Sequence, residues 1–224
     1  MISRELLGTA QIPGGEDELR LFRRGADFMV VLGRHELMSS RMSGSEEALA
    51  EMTLERLTGR NDLRLLIGGY GMGFTLRAAL AALPGDAKVT VAELVPEIFE
   101  WARGPMAAMT GACLDDKRLF VDIADVGVLI SEAEVYYDAI LLDVDNGPDG
   151  LTRKSNNGLY SRKGLASAKT ALKPGGILAI WSAGPDEKFK KALGDAGFIV
   201  DEVAVRARQN GKGAKHIIWF ATKR

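Results

Sequence analysis

From Gly59 onward, short apolar runs alternate with segments of helical periodicity, and this alternation limits the fold more than any other feature of the chain. Leu63 to Ile67 is a compact apolar run. Leu76, Ala79, Leu80 and Leu83 then fall at i, i+3, i+4 and i+7 and stop at Pro84-Gly85, which marks one face of a helix. Lys88 to Ala92, Leu119 to Ile123, Ala139 to Leu142 and Ile177 to Trp181 repeat the strand pattern. Between them lie helices carrying Ile98, Phe99 and Trp101 after Pro96, and Leu165 to Leu172 before Lys173-Pro174-Gly175-Gly176. A further helix starts at Pro185-Asp186 and carries Phe189, Ala192, Leu193 and Ala196. Two last strands, Phe198 to Ala207 and His216 to Ala221, flank Gln209 to Gly213, a hairpin signal. Strands this apolar need cover on both faces. The pattern predicts an α/β fold with a doubly wound, mostly parallel sheet of seven strands, ending in an antiparallel hairpin.

Residues 1–59 read differently, as a small β-rich segment and a first helix ahead of a ligand-binding domain over 60–224. Leu19 to Phe22 and Phe28 to Leu32 flank the turn Arg23 to Asp27, and His35 to Met42 is a third strand. Ser43-Gly44-Ser45-Glu46 has the form of a capping box, opening a helix to about Thr58 with Leu49, Met52 and Leu57 on its apolar side.

Composition narrows the chemistry. The 224 residues include one cysteine, Cys113, and two histidines, His35 and His216. An internal disulfide is impossible, no zinc site is expected, and nucleophile–histidine catalysis is short of partners. The chain carries 29 Lys+Arg against 30 Asp+Glu, so nucleic acid is not the expected partner. Val203 to Arg224 contains six basic residues and no acid, which suits a solvated hairpin better than an RNA site, because aromatic interleaving is thin. The N-terminus lacks the apolar stretch of a signal peptide and no run reaches membrane-span length, so a cytoplasmic location is expected.

The first strand of the alternating region leads into Gly68-Gly69-Tyr70-Gly71-Met72-Gly73-Phe74. In open α/β sheets, ligands bind at the carboxyl ends of strands where the connections diverge. A dinucleotide fingerprint would need glycine at Phe74; the spacing present is G-x-G-x-G. Glu93 ends the second strand, 20 residues past Gly73, where a carboxylate can accept two hydrogen bonds from a ribose diol. The plainer readings are a tight turn for the glycines and a strand-end or helix-capping acid for Glu93.

Together these residues resemble the class I S-adenosylmethionine-dependent methyltransferase fold and, within it, the spermidine synthase (polyamine aminopropyltransferase) branch, from about Phe28 to the C-terminus. The resemblance implies a donor-binding loop of Gly68, Gly69, Tyr70, Gly71 and Gly73, a ribose contact at Glu93, an adenine contact at Asp125, and a catalytic acid at Asp143. Leu159-Tyr160 and Leu172 to Gly176 match in kind and order. It implies S-adenosylmethionine or its decarboxylated form as donor, no metal, a small amine acceptor and a homodimer. Methyl transfer to another acceptor and a non-catalytic nucleoside-binding role stay open beside aminopropyl transfer. The family's second catalytic-loop acid is replaced by Asn146, with Asp145 beside it. Its Tyr-His-Glu trio on the first long helix is replaced by Leu49, Ala50 and Glu51, and its donor-contacting glutamine has no counterpart around Glu36-Leu37. The donor half is kept and the acceptor half altered.

An amine must lose a proton before it can attack. Asp143, at the end of the fourth strand, is the candidate to orient the ammonium and take that proton; Asp145 is a second candidate, and Asn146 would orient without charge. The alternative is that both acids cap the turn at Asn146-Gly147-Pro148. The polar segment 146–158 is either a lid or a surface loop. Tyr160 after it lines the acceptor pocket or the core. Tyr70 and Phe74 pack on the donor or in the core. Cys113 and His35 are read as packing or surface residues.

Overall fold

The computed structural model describes residues 3–14, 18–144 and 157–224. Four antiparallel strands come first: β1 (Glu5–Gln11), β2 (Glu18–Arg24), β3 (Asp27–Leu32) and β4 (His35–Ser39), in that spatial order. The expected hairpin is present, with Arg24 opposite Asp27. The third strand stops short of Met42: the Ser40 hydroxyl accepts from the Phe28 amide, and Ser40 N–H donates to Phe28 C=O, which turns the chain.

Helix α1 (Gly44–Arg56) follows, but not on a capping box. Ser43 occupies the cap position and its side chain makes no capping bond. Leu49 and Ala50 are fully buried.

The remaining elements are β5 (Arg64–Gly68), α2 (Phe74–Ala82), β6 (Lys88–Glu93), α3 (Glu97–Arg103), the short α4 (Ala107–Thr110) with a 3-10 turn after it, β7 (Leu119–Ile123), α5 (Val126–Glu132), β8 (Tyr137–Leu142), the short α6 (Asn157–Tyr160), α7 (Arg162–Ala171), β9 (Leu172–Ser182), α8 (Glu187–Asp195), β10 (Phe198–Arg206) and β11 (Lys215–Lys223). They build one seven-stranded sheet in the order β10-β11-β9-β8-β5-β6-β7. Pairing from β9 to β7 is parallel, and β11 joins antiparallel to β9 and β10. The expected fold is therefore present. Helix α5 adds an element that the periodicity does not show.

The apolar strands are near-continuous because each face has its own core. Leu65 and Ile67 of β5 and Leu141 of β8 enter one cluster with Leu49, Leu76 and Ile98; Leu66, Ile140 and Leu142 enter a second with Leu165, Phe189 and Trp219. Leu21, Val30 and Leu32 of the small sheet join the first cluster. At the amino ends of the strands, buried Asp138 accepts from Arg60 (3.1 Å), Lys173 (2.6 Å) and the Arg64 amide (2.9 Å). One carboxylate thus ties the starts of β8, β5 and β9. Among the described residues no helix is long and apolar enough to cross a membrane.

Candidate active site

Strand order reverses direction between β5 and β8, since successive connections from β5 run to β6 on one side and β8 lies on the other. The crevice at that switch point is where an open α/β sheet takes its ligand. Gly68 ends β5 there, and the Asp143 amide donates to Gly68 C=O (3.1 Å), joining the glycine loop to the exit of β8. Gly69 (φ +85°) donates to Ala92 C=O at the end of β6, and Gly73 (φ +78°) caps α2.

Two cavities open on this loop. One, about 790 Å³, is bounded by Gly69, Gly71, Glu93, Asp125 and Asp143, with apolar walls that include Ile98 and Val126. The other, about 630 Å³, is bounded by Gly71, Tyr70, Phe74, Glu46, Asp143 and Trp181. Leu37, Met38, Gly71, Asp143 and Val144 line both, so Asp143 stands at their junction. Leu37 and Met38 come from the small sheet, which thus forms part of the site's wall.

Glu93 lines the larger cavity and also braces the loop. Its carboxylate accepts from the backbone N–H groups of Tyr70 (2.9 Å), Leu94 (2.8 Å) and Val95 (3.0 Å), so it holds the glycine loop against β6. Burial pushes its pKa up, and these backbone bonds partly offset the rise. Asp125 caps α5 by accepting from Gly127 N–H (2.8 Å) while lining the larger cavity. Gly71 N–H adds a fourth backbone bond to Glu93, whereas Asp125 keeps lone pairs beyond its bond to Gly127.

Asp143 accepts from the Thr75 hydroxyl (3.1 Å), which also lies 3.3 Å from the Glu46 carbonyl. Glu46 projects into the same cavity. Its carboxyl is pushed up to about 8, by burial first and by the charge of Asp143 next; burial likewise raises Asp143. The neighbouring Glu47 pairs with Arg77 (2.6 Å) and accepts a hydrogen bond from the Gln209 side-chain amide in the β10–β11 turn (2.5 Å). Among the described residues no cation pairs with Glu46 or Asp143, and no Lys or Arg lines either cavity. Trp181 also lines the smaller cavity, and its indole N–H has no acceptor among the described residues.

The structure therefore gathers Gly69, Tyr70, Gly71, Glu93, Asp125 and Asp143 around one crevice, with Gly68 and Gly73 framing the loop. Asp145, Asn146 and residues to 156 of the proposed lid lie outside the described residues. Tyr160 stands apart: it is buried edge-on to Phe189 at 5.5 Å in the second core and lines neither cavity. Glu51 is exposed, while Leu49 and Ala50 pack inward. Glu46, Thr75 and Trp181 were not singled out as site residues from the sequence. Glu46 fits the capping pattern too well to attract another reading, and only its failure to cap, visible in three dimensions, frees it for the cavity.

Sheet order and glycine loop place the chain in the methyltransferase-type class of α/β folds. The spermidine synthase of Thermotoga maritima superposes with a TM-score of 0.76 at 20% identity, covering 98% of this chain and 73% of that one. A spermidine synthase in complex with the transition-state analogue AdoDATO gives 0.75, also at 20% identity, over 98% and 72%. Within that class, the chain belongs to the spermine/spermidine synthase family, whose domain model matches residues 42–193. The polyamine aminopropyltransferase of Korarchaeum cryptofilum is 29% identical over 138 residues, 62% of this chain and 40% of that protein. Polyamine aminopropyltransferase 1 of Streptomyces coelicolor is 32% identical over 131 residues, 58% and 24%. The matches span less than half the length of these relatives.

Proposed function

We propose that the chain is an aminopropyltransferase that uses decarboxylated S-adenosylmethionine as donor and a small amine as acceptor. The observation that carries this reading is the charge pattern of the two joined cavities. They hold Glu46, Glu93, Asp125 and Asp143 and no lining Lys or Arg among the described residues. A donor that kept its carboxylate would meet acids with no cation to offset it, whereas a decarboxylated donor and an ammonium acceptor are both cations.

The larger cavity suits the nucleoside. Glu93 ends β6 and Asp125 follows β7, the adjacent strand; both line this cavity among apolar walls, and Asp125 has open lone pairs for a nucleoside. The donor supplies a carbon already activated by its sulfonium, so the protein contributes alignment and proton removal. Transfer makes one carbon–nitrogen bond and breaks one carbon–sulfur bond, with the electron pair going to sulfur. The ammonium acceptor loses one proton. Asp143, at the junction, orients the acceptor nitrogen and receives that proton, directly or through Glu46. Two raised carboxyls holding one proton between them carry a single negative charge, which favours an acceptor presenting one ammonium at this point.

Isothermal titration with decarboxylated S-adenosylmethionine, S-adenosylmethionine and methylthioadenosine tests the reading. At least about tenfold tighter binding of the decarboxylated donor than of the intact amino acid form is expected, equal to ~1.4 kcal/mol. Binding of S-adenosylmethionine alone would refute it and favour methyl transfer.

A further inference from the structure

The proton taken from the acceptor has a path out of the smaller cavity. The Ser45 hydroxyl lies 3.0 Å from Glu46 Oε2 and 2.9 Å from His216 Nδ1, so the three side chains form one hydrogen-bonded chain. Ser45 is fully buried, and His216, on β11, is half-buried. The imidazole stands edge-on to Trp181 at 4.6 Å, and Trp181 lines the cavity that Glu46 also lines. Residues from α1, β9 and β11, far apart in sequence, meet here.

We propose that Glu46, Ser45 and His216 form a proton-exit relay serving the acceptor cavity, an inference that rests on the aminopropyl-transfer reading for the source of the proton. The acceptor ammonium gives its proton to the acid pair, and Glu46 holds it. Glu46 O–H then donates to Ser45 Oγ as the Ser45 proton passes to His216 Nδ1, and His216 releases a proton from Nε2 to water. Before the transfer neutral His216 carries its proton on Nε2; after it Glu46 is ionised, Ser45 donates to Glu46 and His216 carries its proton on Nδ1, and exchange with water, one proton gained at Nε2 and one lost from Nδ1, restores the first tautomer for the next turnover. No oxidant or further reactant is needed.

The surroundings suit this direction. Facing Glu46 are Asp143 after β8, Glu47 beside it on α1, Tyr70 of the glycine loop and, through Ser45, His216; Arg77 of α2 is committed to Glu47. Burial holds the His216 imidazole below its usual value, so it passes a proton on rather than keeping it. Glu46 and Asp143 are raised, so one of them holds the proton long enough to deliver it.

The chain of bonds makes a prediction that needs no donor or acceptor. With Glu46 ionised, Ser45 donates to Glu46 and His216 must carry its proton on Nδ1. With Glu46 protonated, the bonds reverse and neutral His216 carries it on Nε2. In ¹⁵N-labelled protein with His35→Gln, which leaves His216 as the one imidazole, the Nδ1 and Nε2 shifts should exchange tautomer between about pH 7 and about pH 9. Glu46→Gln and Ser45→Ala should abolish the exchange. A through-space effect of Glu46 would shift both nitrogens without swapping them, and one tautomer at both pH values would overturn the relay. In turnover assays, Ser45→Ala should lower kcat roughly 10²-fold, at the lower end of what positioned proton transfer contributes. Acceptor KM should hold, and added imidazole buffer should restore part of the rate. A second variant, Ser45→Cys, keeps the volume and should show the same loss, which separates relay from folding. Unchanged kcat in both serine variants would overturn the relay. If wild-type protein turned over no amine with either donor, the transferase reading would fall, and the tautomer measurement would still decide the relay.

Discussion

Gly69→Ala is the sharpest test of how the glycine loop holds Asp143. Gly69 has φ +85°, and a Cβ added there would lie 2.6 Å from the Asp143 carbonyl oxygen. Gly59 has φ +88° and nothing within 4 Å of the same added atom. The two glycines thus share a backbone twist and differ in what surrounds them. Gly59→Ala should cost about 1–2 kcal/mol, the strain of a left-handed residue with a Cβ. Gly69→Ala should carry that strain plus an overpacking cost of about 1–3 kcal/mol, since the contact must open by about 0.8 Å to become ordinary. The obstructing atom is backbone, held by the Asp143 amide bond to Gly68, so it cannot swing aside as a side chain would. At about 2–4 °C per kcal/mol for a chain of this size, thermal unfolding followed by circular dichroism should drop by about 2–8 °C for Gly59→Ala and about 4–20 °C for Gly69→Ala. The same displacement moves Asp143, and a shift approaching 1 Å in a catalytic group costs about 10² in rate. Gly59→Ala should leave kcat in place. If Gly69→Ala melts no lower than Gly59→Ala, or turns over at the wild-type rate, the account of the loop is wrong.

Asp143→Asn should abolish aminopropyl transfer while methylthioadenosine still binds in the calorimeter; undiminished turnover would remove Asp143 from the chemistry. Asp138→Ala strands two cations and an amide at the far end of the strands, so urea unfolding should show a loss of about 3–5 kcal/mol. Because Asp138 sits five strand positions, about 16 Å, from Asp143, nucleoside affinity below the melting range should survive. The acid pair fixes a pH dependence. Folding raises both carboxyls, so between their ordinary values and about 8 the folded chain binds more protons than the unfolded one, and stability falls as pH rises. Glu46→Gln should flatten that fall in urea titrations at pH 5 to 8 and be the more stable form at pH 8; a slope equal to that of the wild type would contradict the pairing.

The fold was legible because its signal is local and repeated. Strand runs such as Leu63 to Ile67 and the helix of Leu76, Ala79, Leu80 and Leu83 reflect two covered sheet faces, and both appear in the structure within a residue or two. Elements with weaker burial patterns were not. β1 is an edge strand with Leu6 exposed and a register shift before Gly8, so its alternation is broken. Gly8 is there for Trp101, whose indole nitrogen would lie 2.5 Å from an added Cβ, a reason no local pattern records. β7 is an edge as well, with Phe120, Val121 and Ile123 exposed, yet its apolar run from Leu119 to Ile123 is legible in the sequence all the same.

The proposed donor half and acceptor half of the site differ in legibility for a physical reason. Gly69, Glu93, Asp125 and Asp143 each sit at the carboxyl end of a strand, and sheet topology alone carries such positions to one crevice. The proposed acceptor side is assembled from side chains whose directions depend on packing between distant elements. Ser45 and His216 are 171 positions apart and meet because α1 lies across the sheet on the side of β9 and β11. The loss of the family's Tyr-His pair at Leu49 and Ala50 reads from sequence as a missing acceptor site. In the structure those two positions are core, and one turn earlier on the same helix Glu46 places a carboxylate beside Asp143. A second carboxyl thus reaches Asp143 from α1, the pair carrying one negative charge while it shares a proton, and on the proposed function acceptor choice should follow substitutions at Glu46 more closely than any at 49 or 50.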